Sequence, residues 1–274
     1  MTRRLRILTA ILCVVALSLI VFILRKGSSK DIVINGDRLS TWLSRLDPHE
    51  NSPAVQNQAR SVIEVGGTSA IPFLILELRM TDKKGWLHEL IGDSTRRRIS
   101  AVRGFAALGP IAAPAIPALS NDVGQGDEYV ARDRLVCLSH IGEKAVPAIL
   151  AALDLTNTQV QATAMNILTH LASCGTNVSV AIPKMLQLLD QPERAYSAAN
   201  VLMFAKDQDS QIVPPLLAYL TNGSLATRCA SIYVLSAFTT NQLVIETLRN
   251  LRNEPREEIR RAAEEALKEN KHRQ

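Results

Sequence analysis

Two histidines at equivalent positions in neighbouring stretches of the sequence are the first candidates for metal chemistry. His140 and His170 each follow a valine, Val130 or Val160, by ten residues. Neighbouring packed helices lie about 8–10 Å apart, so the two imidazoles could approach one another. A zinc site needs three or four protein ligands, and no Asp, Glu or Cys shares this position. We therefore expect packing or helix-end roles for both histidines, and no metal or cofactor.

The cysteines and glycines do not form a recognisable catalytic motif. Cys137 and Cys229 fall on the apolar side of predicted helices, where a thiol is usually a small buried hydrophobe. Cys174 follows a predicted helix, and the sequence contains no Cys-x-x-Cys pair. Phosphate-binding loops, nucleophile elbows and paired carboxylates are also absent from the sequence. We therefore expect no catalytic residue and no small-molecule substrate.

An irregular segment, residues 80–93, contains side chains that are common at protein interfaces. It holds one of the two tryptophans in the chain and is followed by several arginines. Trp, Tyr and Arg are enriched among residues that dominate binding energy. The candidate partner-binding residues are Trp86, His88, Arg96, Arg97, Arg98 and Arg103. In the alternative interpretation, a short extra helix folds back over the first repeats, and the arginines face water or lipid headgroups.

The elements that must position these residues follow from a repeated Pro motif. A β-branched residue followed by Pro recurs in an Ala- and Leu-rich context, with prolines at 72, 117, 147, 183 and 214. The steps between them are 45, 30, 36 and 31 residues. Proline is tolerated in the first turn of a helix, where the N–H has no intrahelical partner. Each motif therefore predicts the start of a short apolar helix.

A second, amphipathic helix is predicted after each of these short helices. Residues 98–109, 160–168 and 259–267 place apolar side chains at helical spacing, with small residues on the apolar face. Gly67, Gly109 and Gly142 stand where such helices should stop, as left-handed terminators do. The repeating unit is therefore a pair of helices, and repeats of this length indicate a stacked array.

The chain resembles a HEAT-type, armadillo-like repeat protein, most closely the short HEAT-like repeats of phycobilisome lyases. Residues 259–267 match the second helix of that repeat, and residues 141–149 match the junction between repeats. The resemblance covers residues 39–270 and implies an all-α solenoid of about six to seven helix pairs. It also implies a right-handed superhelix whose second helices line a concave groove, and a binding rather than a catalytic role.

Related repeat proteins have three other functions. An accessory role in a lyase or cofactor-attachment system is the first alternative, although the shared repeat alone does not indicate cofactor attachment. A nucleic-acid-binding role like that of HEAT-like glycosylases is the second. His88 and Glu89 resemble the paired ligands of HEAT-like di-iron hydroxylases, but those enzymes repeat the pair and this chain has it once.

The basic character of the chain comes entirely from its N-terminal segment. The net charge is +5, and residues 1–26 hold five bases and no acid, so the remainder carries 26 bases and 26 acids. A neutral domain lacks the basic excess that nucleic-acid binding requires. We therefore expect no nucleic-acid partner.

Residues 7–24 form an uncharged apolar run of 18 residues with bases on both sides. As a helix this run is roughly 27 Å long, close to the thickness of a bilayer core. A cleaved signal peptide is the alternative, but its apolar region is usually about 7–15 residues long and precedes a small-residue cleavage site. We therefore predict a single-pass membrane anchor, with the short basic tail inside the cell and the rest exported in a bacterial envelope.

The predicted organisation is an anchor at 1–26, a linker at 27–38, a HEAT-like domain at 39–270 and a tail at 271–274. The predicted function is a membrane-tethered, non-catalytic protein-interaction scaffold. Its expected partner is another protein or peptide in the concave groove, because α-solenoids present long surfaces of repeated side chains.

Overall fold

The computed structural model describes residues 31–79, 94–124 and 128–273. The chain divides into two compact units, which we call unit 1 (residues 1–108) and unit 2 (residues 109–274). Nearly all of the described secondary structure is helical, as the amphipathic pattern predicts. Short apolar helices alternate with longer ones in both units.

Unit 1 begins with a two-stranded antiparallel hairpin and continues with helices. The strands pair Val33 with Arg38 and Ile34 with Asp37. The elements are β1 (Val33–Ile34), β2 (Asp37–Arg38), α1 (Leu39–Ser44), α2 (Pro53–Gly66), α3 (Ile71–Leu78) and α4 (Ser94–Leu108).

The hairpin lies in the stretch predicted as a linker and is attached to the first helix by two hydrogen bonds. The indole Nε1 of Trp42 donates to the carbonyl of Ile34 at 2.8 Å. The backbone N–H of Leu39 donates to the carbonyl of Ile32, also at 2.8 Å. Strands of two residues are too short to give an alternating hydrophobic pattern, so the sequence does not reveal them.

The helices of unit 1 pack closely around a glycine in α4. A Cβ atom at Gly104 would lie 2.6 Å from Cδ2 of Leu74 and 2.7 Å from Cδ2 of Leu43. These distances are shorter than any normal carbon–carbon contact. The absence of a side chain at Gly104 therefore allows α4 to approach α1 and α3 closely.

Unit 2 contains a series of helix pairs. The first helices are α5 (Ile116–Val123), α7 (Val146–Ala151), α9 (Ile182–Leu188), α11 (Asp209–Asn222) and α13 (Gln242–Asn250), and all but α11 are shorter than the second helices that follow them. The second helices are α6 (Glu128–Ile141), α8 (Thr158–Ser173), α10 (Pro192–Phe204), α12 (Leu225–Leu235) and α14 (Glu257–Arg273).

The second helices of unit 2 form a continuous row in which each helix packs against the next, from α6 through to α14. Small residues lie in these contacts, and Ala164, Ala198 and Ala263 are fully buried. Their size lets the helix axes approach one another. The row provides the shared core that one helix pair cannot bury alone.

Proline opens the short helices at four of the five predicted positions. It occupies the first turn of α3, α5, α7 and α9. The prediction for Pro214 is wrong, because α11 begins at Asp209 and both Pro214 and Pro215 lie inside it. These prolines cannot donate to the carbonyls of Ser210 and Gln211. Both of those residues are exposed, so water can satisfy their carbonyls.

The predicted glycine terminators are confirmed. Gly67, Gly109 and Gly142 have φ values of 55°, 52° and 81°, in the left-handed region. Gly175 does the same after α8, with φ at 77°. Each glycine ends a second helix before the short turn that leads to the next repeat.

Two described helical segments, Pro53–Leu78 and Thr95–Val123, are long and apolar enough to cross a membrane. Buried core helices pass the same test, and both segments are broken by glycines of positive φ, Gly67 and Gly109. The helices on either side are therefore shorter than the roughly 20 residues that a span requires. The predicted anchor, residues 7–24, lies outside the described residues.

Candidate functional site

The arginine at the centre of the predicted interface forms a partly buried ion pair in unit 1. Arg97 donates through Nε to Oε2 of Glu77 at 2.6 Å and through Nη2 to Oε1 at 2.5 Å. Glu77 lies on α3 and is only 5% exposed. The two hydrogen bonds stabilise the charged guanidinium and raise the pKa of Arg97. This pair joins α3 to α4.

Two further arginines of α4 reach the loop between α1 and α2. Arg96 forms an ion pair with Glu50 at the surface. Arg103 contacts Asp47, with 3.2 Å between Nη1 and Oδ2. The pKa of Asp47 is lowered, first by a hydrogen bond from the backbone N–H of His49 and then by Arg103. These contacts give Arg96 and Arg103 a role within the fold of unit 1.

Three predicted interface residues remain, namely Trp86, His88 and Arg98. Trp86 and His88 lie outside the described residues. Arg98 is half-buried in α4 and takes part in further interactions. A cleft of about 490 Å³ borders the Arg97–Glu77 pair, with Ser40 and Phe73 among its lining residues. The described arginines of the predicted patch thus lie on one helix, and two of them, Arg96 and Arg97, line this cleft.

A different surface in unit 2 carries exposed aromatic side chains. The rings of Tyr196 on α10 and Tyr233 on α12 stack, with centroids 5.4 Å apart and planes inclined by 23°. The Tyr233 hydroxyl donates to Oδ1 of Asn200 at 3.1 Å. Tyr196 is nevertheless 66% exposed. The Asn200 contact and the stack hold this aromatic pair in place while leaving one ring open to solvent.

A groove of about 370 Å³ lies between α8 and α10, the helix that carries Tyr196. Its lining includes the apolar side chains of Leu153, Ala162 and Met165. Across the groove, Nη2 of Arg194 donates to Oε1 of Gln161 at 2.5 Å. Gln161 in turn donates to the carbonyl of Leu155. This chain of hydrogen bonds fixes the polar walls around an apolar floor.

The sequence positions the two walls of the groove through the starts of their helices. Asn157 caps α8 by accepting hydrogen bonds from the backbone N–H groups of Gln159 at 2.9 Å and Val160 at 3.2 Å. The helix α10 begins with Pro192, whose fixed φ suits the first helical position. Both starts are therefore defined locally, which places Gln161 and Arg194 opposite each other.

We call the exposed side of α8, α10 and α12 that carries Ala162, Asn166, Tyr196, Asn200 and Tyr233 the second-helix surface. Its α8 part contains no Asp, Glu, Lys or Arg, whereas α10 contributes Glu193 and Arg194 at the groove. The resemblance to HEAT repeats implies a binding groove lined by second helices, but the sequence did not indicate these particular residues. A usable signal was present, since three of the four tyrosines, Tyr129, Tyr196 and Tyr233, fall in second helices.

The histidine and cysteine candidates do not converge on a site. His170 lies 3.8–3.9 Å from the sulfur of Cys174, both at the exposed end of α8. Cys137 is fully buried in α6, and this burial raises the pKa of its thiol. Among the residues that the structure describes, no group of three or more His, Cys, Asp or Glu side chains could hold a metal ion.

Comparison with known proteins identifies the repeat class of the C-terminal part. Residues 182–268 match the family model for HEAT repeats. This match and the all-helical structure support a HEAT-repeat protein. No curated protein sequence matches the chain.

One solved structure with which the chain shares limited similarity is the crystal structure of an engineered protein from a structural genomics consortium. It has 17% sequence identity and a TM-score of 0.33, over 85% of this chain and 96% of that chain.

Proposed function

We propose that this chain is a membrane-tethered, non-catalytic scaffold that binds another protein or peptide on the second-helix surface of unit 2. HEAT repeats generally mediate protein–protein interactions and are generally non-catalytic. The apolar run at residues 7–24 supports the tether, and the short basic tail before it, followed by a long C-terminal domain, supports an exported repeat domain in a bacterial envelope.

The observation that carries this proposal is the combination of an apolar-floored groove with an ordered tyrosine pair of which one ring, Tyr196, is exposed. Interface hot spots are enriched in aromatic residues that lie in well-packed pockets. Tyrosine offers a large contact area at a low cost in conformational entropy, and the Tyr196–Tyr233 stack reduces that cost further. The α8 side of the groove carries no Asp, Glu, Lys or Arg, so a partner that covers it displaces water from no ionic side chain there.

The N-terminal patch, comprising Trp86, His88, Arg96, Arg97, Arg98 and Arg103, remains a second proposed partner contact. The ion pairs of Arg96, Arg97 and Arg103 with acidic residues of unit 1 support a structural role for these three side chains. For that reason we assign the main recognition role to unit 2.

Capture of the partner from membranes tests the proposal. The tagged full-length chain is expressed in its native host, solubilised in mild detergent and purified with whatever it binds. We expect Ala162→Phe, which fills the groove from an exposed position, and Tyr196→Ala to reduce partner recovery sharply. Loss of a hot-spot contact of about 2 kcal/mol weakens binding about 30-fold.

Ala54→Phe is the matched control, because Ala54 is also exposed and lies on a second helix, but in unit 1. It should leave recovery unchanged. If Ala162→Phe and Tyr196→Ala both retain full recovery of every specific partner, the second-helix surface is not the binding site.

A further inference from the structure

The groove between α8 and α10 has the form of an anchor pocket for one large side chain. Its floor includes Met165, which is almost fully buried, and the exposed methyl group of Ala162. The Arg194–Gln161 hydrogen bond holds the polar wall in place without a ligand. A volume of about 370 Å³ accommodates an aromatic or branched aliphatic side chain.

An exposed carboxylate stands at the edge of this pocket. Glu193 lines the groove and lies in the first turn of α10. Within the described part of the chain it has no ion-pair partner. The adjacent Arg194 instead donates a hydrogen bond from Nη2 to the side-chain oxygen of Gln161 across the groove. Negative charge in a first turn is favoured by the helix dipole, but that interaction leaves the carboxylate oxygens free to accept hydrogen bonds.

Tyr196 lies three residues after Glu193, so the two side chains share one face of α10. Helical side chains lean towards the N-terminus, which tilts the Tyr196 ring towards Glu193. One face of the ring stacks on Tyr233, and the side chain remains 66% exposed. A cation placed here can pair with the carboxylate and contact the open face of the ring.

We propose that the second-helix surface recognises a peptide segment in which a large apolar side chain stands beside a lysine or arginine. The apolar side chain enters the groove, and the neighbouring cation lies between the Glu193 carboxylate and the Tyr196 ring. This inference rests on the proposed function, because it specifies the chemistry of the partner at the same surface.

Three short peptides that differ at one position each provide the probe. They are acetyl-Gly-Ser-Trp-Lys-Ser-Gly-amide, the same peptide with Glu in place of Lys, and the same peptide with Ala in place of Trp. Binding to the full-length chain in detergent is followed by saturation-transfer NMR. We expect the Trp-Lys peptide to bind at least about tenfold more tightly than the other two, because each lacks one of the two contacts.

Protein variants identify the side chains responsible. Glu193→Lys should reverse the preference, so that the Trp-Glu peptide binds more tightly than the Trp-Lys peptide. Ala162→Phe should abolish binding of both. Ala54→Phe should leave all three affinities unchanged, and it controls for the general effect of adding an exposed phenylalanine to a second helix.

Equal binding of the three peptides, or a preference for lysine that survives Glu193→Lys, overturns the inference. Such a result is distinguishable from failure of the proposed function. If the peptides show no preference while Ala162→Phe still prevents capture of the native partner, the surface binds a protein of different chemistry. If Ala162→Phe affects neither peptides nor partner, both proposals fail.

Discussion

Two charged side chains, Glu77 and Arg134, are buried at positions that the amphipathic pattern does not mark as buried. Glu77 is 5% exposed and Arg134 is 1% exposed, although both are charged residues within predicted helices. Each has a counter-charge from another helix of its own unit: Arg97 for Glu77, and Asp122 for Arg134 at 3.4 Å. Sequence periodicity assigns charges to the solvent side of a helix, so these buried pairs become visible only in the structure.

The Arg97–Glu77 pair gives a stability prediction at this scale. Arg97→Met leaves the buried Glu77 carboxylate without its partner. Breaking a fully buried pair costs about 3–5 kcal/mol, and because the Arg97 side chain is 35% exposed, we expect a smaller loss of about 1–3 kcal/mol. Chemical denaturation of the full-length chain in detergent measures the change.

Arg96→Met is the control for this substitution. Arg96 is the neighbouring residue, but its side chain is 60% exposed and its partner Glu50 is 51% exposed. Exposed pairs contribute about 0–1 kcal/mol, so this variant should remain close to wild type. Equal losses for the two variants would show that burial of Glu77 does not set the strength of its pair.

Helix boundaries were predictable wherever a single residue type defines them. Prolines mark the starts of α3, α5, α7 and α9, and glycines of positive φ mark the ends of second helices. Pro214 does not mark a helix start. Ser210 and Gln211, whose carbonyls lack an N–H partner because of the two prolines, are exposed, so water can bind those carbonyls instead. The hairpin at 33–38 was not predictable, because tertiary contacts to Trp42 and Leu39 stabilise it rather than its own pattern.

The glycine terminators give a prediction at the scale of the element. Gly142 has φ at 81° and open space around the position of a Cβ atom, so Gly142→Ala introduces backbone strain without a steric clash. Because its ψ is −142°, outside the left-handed helical region and in a region that is nearly restricted to glycine, we expect a loss of roughly 1–3 kcal/mol in the free energy of unfolding. Thermal denaturation followed by circular dichroism measures it.

Gly124→Ala is the matched control within unit 2. Its φ is −85°, which alanine adopts readily, and the nearest atom to a Cβ would be at an ordinary contact distance of 3.4 Å. This variant should be neutral or slightly stabilising, by up to about 1 kcal/mol. A Gly142→Ala protein as stable as Gly124→Ala would contradict the assignment of a left-handed terminator.

At the scale of the molecule, the sequence predicted the repeat and a groove lined by second helices, but not the residues that form the second-helix surface. Helix pairs follow from local signals, namely hydrophobic spacing, proline and glycine. The second-helix surface depends on contacts between residues 33 or more positions apart, such as Gln161 with Arg194 and Asn200 with Tyr233. The sequence therefore points to the segment around Trp86, where Trp and Arg lie close together along the chain. It does not point to a surface that forms only when the second helices pack against one another.

The tether gives a prediction that is independent of the binding surface. We expect the mature chain to retain residues 1–26 and to stay with membranes after a high-salt wash, because an uncharged run of 18 residues inserts into lipid rather than adsorbing to it. Intact-mass measurement of the native protein checks retention. A mass lower by about 25 residues would instead indicate a cleaved signal peptide.

Site-specific photo-crosslinking in cells tests whether the partner binds on the second-helix surface. A photoreactive phenylalanine derivative replaces Asn166, which is exposed one turn after Ala162 on α8, or Gln187, which is exposed on the first helix α9. If the partner binds on the second-helix surface, we expect a discrete crosslinked partner from position 166 and none from position 187. A partner that crosslinks from 187 but not from 166 would contradict recognition by the second-helix surface.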